Sequence, residues 1–363
     1  MKRKILLLIL CVFLFIGCAN DAIDTKDQDP SGEDSITEEP SKDSDSKNED
    51  PSTEDKNTEE RFLSFGNFYS IYDDWVFYES YAKGQEGRLW KCRLDLTENK
   101  DVDNSRKWDI NTSINADGDT MAFTGMYPAR KSFIYNVKDG TSEDLEFPLN
   151  GFTFSEYLVY KDNVFLSNSN NGARLEMYDR KGNFCTVINE GWIGDYGILN
   201  DSVYYLEYYH EYHLDRIGNT IFRYDMKTKE REVYFTFEPN DSFEPRVYFN
   251  QKYIIVQSTP NIFVYATTED PTPRKVILPD RRFYFYIESE DDDLYFAYSP
   301  EPDVMPDIED PVDEAPCYYY KVKQGSTDPV FFTTLQDCAL FFKNGYAYYE
   351  GENGLVREKL TES

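Results

Sequence analysis

A short Asn/Asp/Gly turn followed by an aromatic strand recurs seven times along this chain, and that repetition constrains the fold more than any other feature. Copies read Asp73-Asp-Trp-Val-Phe-Tyr78, Lys161-Asp-Asn-Val-Phe-Leu166, Asn200-Asp-Ser-Val-Tyr-Tyr205 and Asp291-Asp-Asp-Leu-Tyr-Phe296. Taking Trp75, Met121, Val164, Val203, Tyr253, Leu294 and Tyr346 as equivalent, the steps are 46, 43, 39, 50, 41 and 52 residues. Downstream of most copies lies a second strand ending in another tight turn, as in Leu175-Glu-Met-Tyr-Asp-Arg-Lys-Gly182. The period is that of one four-stranded propeller blade. Adjacent aromatics such as Phe77-Tyr78, Tyr204-Tyr205 and Tyr348-Tyr349 fit strands buried on both faces, as happens when a blade lies between two others. A pair of β-sandwiches would explain the strands but not the sevenfold spacing. The expectation is an all-β, seven-bladed β-propeller over residues 61–363.

The seventh unit runs out near Leu360 with room for three strands. The apolar piece Arg61-Phe-Leu-Ser-Phe65 is expected to supply the missing outer strand and close the ring against Leu355–Leu360. Strand parity adds a second expectation. The tight turns all join first to second or third to fourth strands, so they share one face. The long irregular loops, Tyr208–Gly218 and Tyr298–Pro316, join second to third strands and project from the other. The chain should enter on the tight-turn face.

The repeat is similar to bacterial propeller domains related to the YWTD propellers of low-density-lipoprotein-receptor-related proteins. The similarity lies in the D-x-hydrophobic-Tyr/Phe-Tyr strand and the hydrophobic-x-Asp-Lys/Thr-Gly turn. No copy contains the tetrad itself; Phe77-Tyr-Glu-Ser80 and Tyr205-Leu-Glu207 come nearest. The resemblance implies binding of a ligand or a protein. Other propeller signatures are missing: Trp108-Asp109 is a lone Trp-Asp pair between units, there is no Gly-Gly pair, and no S-x-D-x-G-x-T-W box occurs.

At the other end of the chain, Lys2, Arg3 and Lys4 precede an unbroken apolar run, Ile5 to Ile16, which closes on Gly17-Cys18. A basic start, a run too short to span a bilayer and a small residue at its end describe an export signal over 1–17. The cysteine after the small residue resembles the lipobox of bacterial lipoproteins, although Phe15 stands where that family usually has Leu. The resemblance implies cleavage before Cys18, lipid on Cys18, and a protein held outside the cytoplasm on a bacterial membrane. An ordinary secretory signal or a single anchor helix is the alternative. Residues 18–60 then form an acidic tether. From Ala19 to Glu60 there are 16 acidic and four basic residues and almost nothing apolar. Such a stretch cannot offset its ordering entropy by burial and is expected to be disordered. A spacer is the main reading, and an acidic cation-binding tail the other.

Of the net charge of −30, the signal carries +3 and the tether −12, which leaves −21 on the folded part. Nucleic acid and anionic headgroups both call for a basic footprint, so neither is an expected partner. Tyr and Phe number 30 and 26 against four Trp, an aromatic load in keeping with strands. Beyond Cys11 and Cys18 the cysteines are Cys92, Cys185, Cys317 and Cys338. None forms a C-x-x-C zinc pattern, and Cys317–Cys338 is the one pair to consider for a disulfide.

No nucleophile elbow, H-E-x-x-H or phosphate loop is present. Both histidines, His210 and His213, lie in Tyr208-Tyr-His-Glu-Tyr-His-Leu-Asp215. A polar loop explains them, and a spacing of three in a loop fixes no metal geometry. With Trp192, Tyr209 and Tyr212 they are the candidate ligand contacts, against simple packing of the blade. The carboxylates between Tyr298 and Pro316 alternate with prolines rather than following calcium-loop spacing, so a stiff surface loop is expected. No cofactor is indicated. Two readings remain: a surface propeller that binds a protein, peptide or glycan through its long-loop face, and a propeller hydrolase or lyase with a site at the central funnel. Binding is favoured, because every recognisable catalytic box is missing and fold alone decides nothing.

Anchoring gives the first prediction. Cys18→Ser should move the protein from the membrane to the soluble fraction, because stable attachment needs two or more acyl chains. A variant that stays membrane-bound and is still cut at the same site would contradict it.

Overall fold

Several first-to-second turns are built on residues that tolerate left-handed backbone. Asn200–Asp201 and Asn344–Gly345 have positive φ at both turn positions, 50° and 57°, then 54° and 75°. This geometry matches the twist of the strands it joins. Third-to-fourth turns use a different device, repeated in five blades. The carboxylate of Asp95, Asp139, Asp179, Asp225 and Asp270 accepts the backbone N–H two residues on, at 2.9–3.0 Å. Hydrogen bonds to these turn residues hold each of the five carboxyls below the usual aspartate range. The Asp of the repeat is therefore a turn-closing residue.

The computed structural model describes residues 62–360 except 65–68, 81–87, 103–111, 118–119, 126–131, 145–156, 169–173, 212–213, 217, 239, 241–242, 281, 291, 300–315 and 352. The signal, Cys18 and the tether lie outside the described residues, and all that follows concerns the unit Asn57–Ser363. Strands pair in sequence order into seven antiparallel units. Blade 1 begins at Tyr69–Tyr72, blade 2 at Thr112–Asp117, blade 3 at Tyr157–Tyr160 and blade 4 at Trp192–Leu199. Blades 5, 6 and 7 begin at Arg246–Asn250, Phe285–Ser289 and Phe341–Lys343. The fold is the expected seven-bladed β-propeller. Six blades have four strands; among the described residues the seventh has three, ending in Gly354–Lys359.

First strands lie side by side from blade 1 to blade 3 and from blade 4 to blade 7. Those of blades 6 and 7 are also hydrogen-bonded in parallel, Glu288 opposite Phe341. Second strands are buried on both faces: Val76-Phe77-Tyr78, Val164-Phe165-Leu166 and Ile254-Ile255-Val256 are all fully enclosed. The aromatic doublets thus fill the two interfaces that each blade makes. Tyr205 packs with the blade 3 residues Leu158 and Phe165, while its neighbour Tyr204 packs with the blade 5 residues Val247 and Phe249.

Closure differs from the expectation. Leu63–Ser64 does not pair with the seventh blade but with the innermost strand of blade 4, Leu63 opposite Ile198 and Ser64 opposite Gly197. It runs down the axis beside the first strands of blades 2, 3 and 5. The physical reason is Phe62. Its ring is 4% exposed, in a slot between blades 4 and 5. It lies 5.3 Å from Tyr204 and 5.2 Å from Phe249. Its N–H donates to the Gln251 carbonyl at 3.0 Å. Gly197 makes the slot possible, since a Cβ there would stand 2.6 Å from the Phe249 ring. Blade 7 closes on blade 1 through side chains instead. Tyr69 stacks on Phe341 at 4.2 Å, and Tyr348 and Arg357 both donate to the Leu94 carbonyl, at 3.0 and 2.9 Å.

The second expectation is met for the entry face, while residues 300–315 of the Tyr298–Pro316 loop lie outside the described residues. The strand Leu63–Ser64 is antiparallel to Trp192–Leu199, and Phe62 bonds to the first-to-second turn of blade 5. The chain therefore enters from the tight-turn face. A disulfide joins Cys317 to Cys338, tying the third strand of blade 6 to the connection that leads into blade 7.

Phe62 carries the second prediction. Phe62→Ala should lower the unfolding free energy by about 3 kcal/mol, in line with other buried Phe-to-Ala changes. Chemical denaturation measures it. A loss below about 1 kcal/mol would mean that the N-terminal strand is not seated in the core.

Candidate ligand-binding face

The longest strand among the described residues, Ser202–Glu211, overruns blade 4 on the face opposite the tight turns. Its end folds back on Leu214–Arg216, with Tyr209 opposite Arg216 and His210 opposite Asp215. Tyr212 and His213 fall between these two strands and lie outside the described residues. Trp192 starts the innermost strand of the same blade and pairs with Tyr208. The backbone therefore gathers Trp192, Tyr209 and His210 into one projecting arm, where sequence reading placed an irregular loop. The hairpin prolongs the second strand of blade 4 through Tyr209-His-Glu211. Its return is fixed by Gly218, where a Cβ would run into the Glu207 carbonyl. At the base, Glu207 pairs with Arg231 at 2.6 Å, and Arg231 lies over the Phe222 ring at 3.7 Å.

A second group on this face was missed in the sequence. The innermost strand of blade 4 is irregular between Ile193 and Tyr196, and Asp195 sits in that bulge. Bulges commonly re-aim a side chain in this way. Its Oδ2 accepts the Val247 N–H of blade 5 at 3.2 Å. The side chain reaches solvent but stands among crowded protein atoms. Lost hydration pushes its carboxyl above the usual range, Glu244 adds to this, and the Val247 N–H and Arg246 oppose it. Next to it Tyr248 donates to Gln257 Oε1 at 3.2 Å. Burial pushes the Tyr248 phenol up to about 12, with Asp195 adding and Arg246 subtracting.

Arg246, the residue before Val247, links this group to an aromatic pair. Its guanidinium lies 5.3 Å from the ring of Phe283, which is 44% exposed and stands 6.3 Å from Phe243. Beyond it, Arg282 covers Tyr298 at 4.6 Å, and Tyr298 stacks on Tyr318 at 5.1 Å. Phe243 and Phe283 both lie in connections that lead into innermost strands, so they stand at the axial mouth on the long-loop face. No group of three or more His, Cys, Asp or Glu residues suited to a metal occurs among the described residues.

No protein-family model matches this chain, and no curated protein matches it. Solved structures do. The chain is similar to oligogalacturonate lyase in complex with manganese, with a TM-score of 0.51, 7% identity, and coverage of 83% of this chain and 91% of that one. A computationally designed protein gives a TM-score of 0.48 at 8% identity, covering 84% and 98%. A chain of the nidogen–laminin complex gives 0.40 at 12%, covering 72% and 92%. At these identities the likeness is one of fold.

Asp195 gives the third prediction. A carboxyl whose folded pKa is raised binds its proton more tightly in the folded state, so its ionised form costs stability at neutral pH. Asp195→Asn should raise Tm at pH 7.5, and the gap should narrow as pH falls toward about 4, where the unfolded aspartate is also protonated. A lower Tm for the variant at pH 7.5 would show that the charge is stabilising through Arg246.

Proposed function

We propose that this protein is a lipid-anchored, extracytoplasmic propeller that binds its partner through the long-loop face. The observation that carries the reading is the separation of the two faces. The N-terminal strand enters at the tight turns, whereas the blade 4 arm and the Asp195–Arg246–Phe283 group stand at the opposite side. A tether entering from one face leaves the other free, and loops on a rigid scaffold commonly carry function. The Gly17-Cys18 junction supports the anchor, and the Cys317–Cys338 disulfide suits an oxidising compartment. The YWTD-like turn and strand pattern supports a binding role.

A second reading, a propeller hydrolase or lyase, is favoured by one observation: the Asp195 carboxylate set in a strand bulge against the Val247 N–H at the mouth. It requires turnover that Asp195→Asn abolishes, with its effect in kcat rather than KM.

Photo-crosslinking in the producing cells tests the binding reading. A photoreactive residue placed at Glu244 or Arg282, on the long-loop face, should give specific adducts. Placed at Lys181 or Thr228, on the tight-turn face, it should give at least about fivefold fewer. Adducts confined to the tight-turn positions would overturn the proposal.

A further inference from the structure

Among the described residues, the other large exposed apolar side chains, Phe184, Val233, Ile277, Val330 and Phe331, all belong to outer strands. There they cover the outer edge of a blade; Phe184 packs on Tyr178 and Phe331 on Tyr320. Phe283 is different. It lies in a connection, two residues before the innermost strand of blade 6, and its partners are Phe243 and the Arg246 guanidinium. Within the same small region the Asp195 carboxylate accepts the N–H of Val247, the residue that follows Arg246 in the chain. A part-exposed aromatic ring with a guanidinium over it and a carboxylate close by in the chain register is a specific chemical combination.

We propose that this mouth is a saccharide-binding site, with Phe283 and Phe243 as the platform and Asp195 and Arg246 as the hydrogen-bonding rim. The inference rests on the binding reading above and names its ligand class. One face of a pyranose carries C–H groups that pack on an aromatic ring. Its vicinal hydroxyls donate to a carboxylate and accept from a guanidinium at the same time. The main competitors fit less well. A peptide would use a deep pocket or an open sheet edge, and the inner edge of blade 4 is already taken by Leu63–Ser64. A phosphate or other anion would meet Asp195 and Glu244, which offset Arg246. The ligand is therefore an uncharged sugar chain.

The test uses the full-length protein in a polyoxyethylene detergent, which carries no sugar. Cellotetraose, maltotetraose, chitotetraose and tetragalacturonate are titrated by calorimetry. At least one neutral tetrasaccharide should bind, with sub-millimolar affinity typical of a shallow site. Phe283→Ala and Asp195→Asn should each weaken it at least about tenfold, which corresponds to about 1.4 kcal/mol. Phe184→Ala, an exposed aromatic on an outer strand, should leave it unchanged. The proposal is overturned if no neutral probe binds at 10-fold higher concentration, if only tetragalacturonate binds, or if binding survives Phe283→Ala. Cross-links that still form from Glu244 and Arg282 would then show that the saccharide assignment alone has fallen; their absence too would remove the binding reading with it.

Discussion

Burial of both faces of the second strands of blades 1, 3, 4, 5 and 6 is the constraint on which the rest of this structure depends. A strand such as Ile254-Ile255-Val256 has no solvated side, so blade 5 cannot be stable without blades 4 and 6. Each interface is filled from two directions by neighbouring residues of one strand, as Tyr204 and Tyr205 show. A ring is the arrangement in which no blade is left with an uncovered face. This is why closure matters, and why it is achieved by packing: Tyr69 on Phe341 and two hydrogen bonds to the Leu94 carbonyl join the ends. The parallel pairing of the first strands of blades 6 and 7 adds backbone continuity close to that seam.

Given that constraint, the blades were legible from sequence because their signals are local and repeated. The Asn200-Asp201 and Asn344-Gly345 turns announce positive φ, and the aromatic doublets announce two buried faces. The role of Arg61–Phe65 was not legible. A short apolar segment reads as a strand whichever edge it pairs with, and what decided its place was the slot formed by Gly197, Tyr204 and Phe249. Those residues meet only in three dimensions. Parity arguments survived the error, because the entry face follows from strand direction whether the segment lies at the rim or on the axis.

The candidate site divides along the same line. Trp192, Tyr209 and His210 were singled out because histidine is rare here and aromatics crowd around it, and the backbone places them at one end of blade 4. Asp195, Arg246 and Phe283 carried no signal. They come from three blades, and a lone Asp among so many acidic residues is invisible until a bulge aims it at Val247. Sites assembled at a propeller mouth are built from the ends of separate strands, so no motif of contiguous residues marks them.

The central claim is that the chain enters along the axis from the tight-turn face and leaves the opposite mouth free. Spin labels on Glu60, paired in turn with labels on Lys252 and on Glu244, test it directly by pulsed dipolar spectroscopy. Both reporter positions belong to blade 5, separated by the length of its innermost strand, about 17 Å. The account predicts the shorter distance to Lys252. A shorter distance to Glu244 would place the tether at the mouth and contradict it.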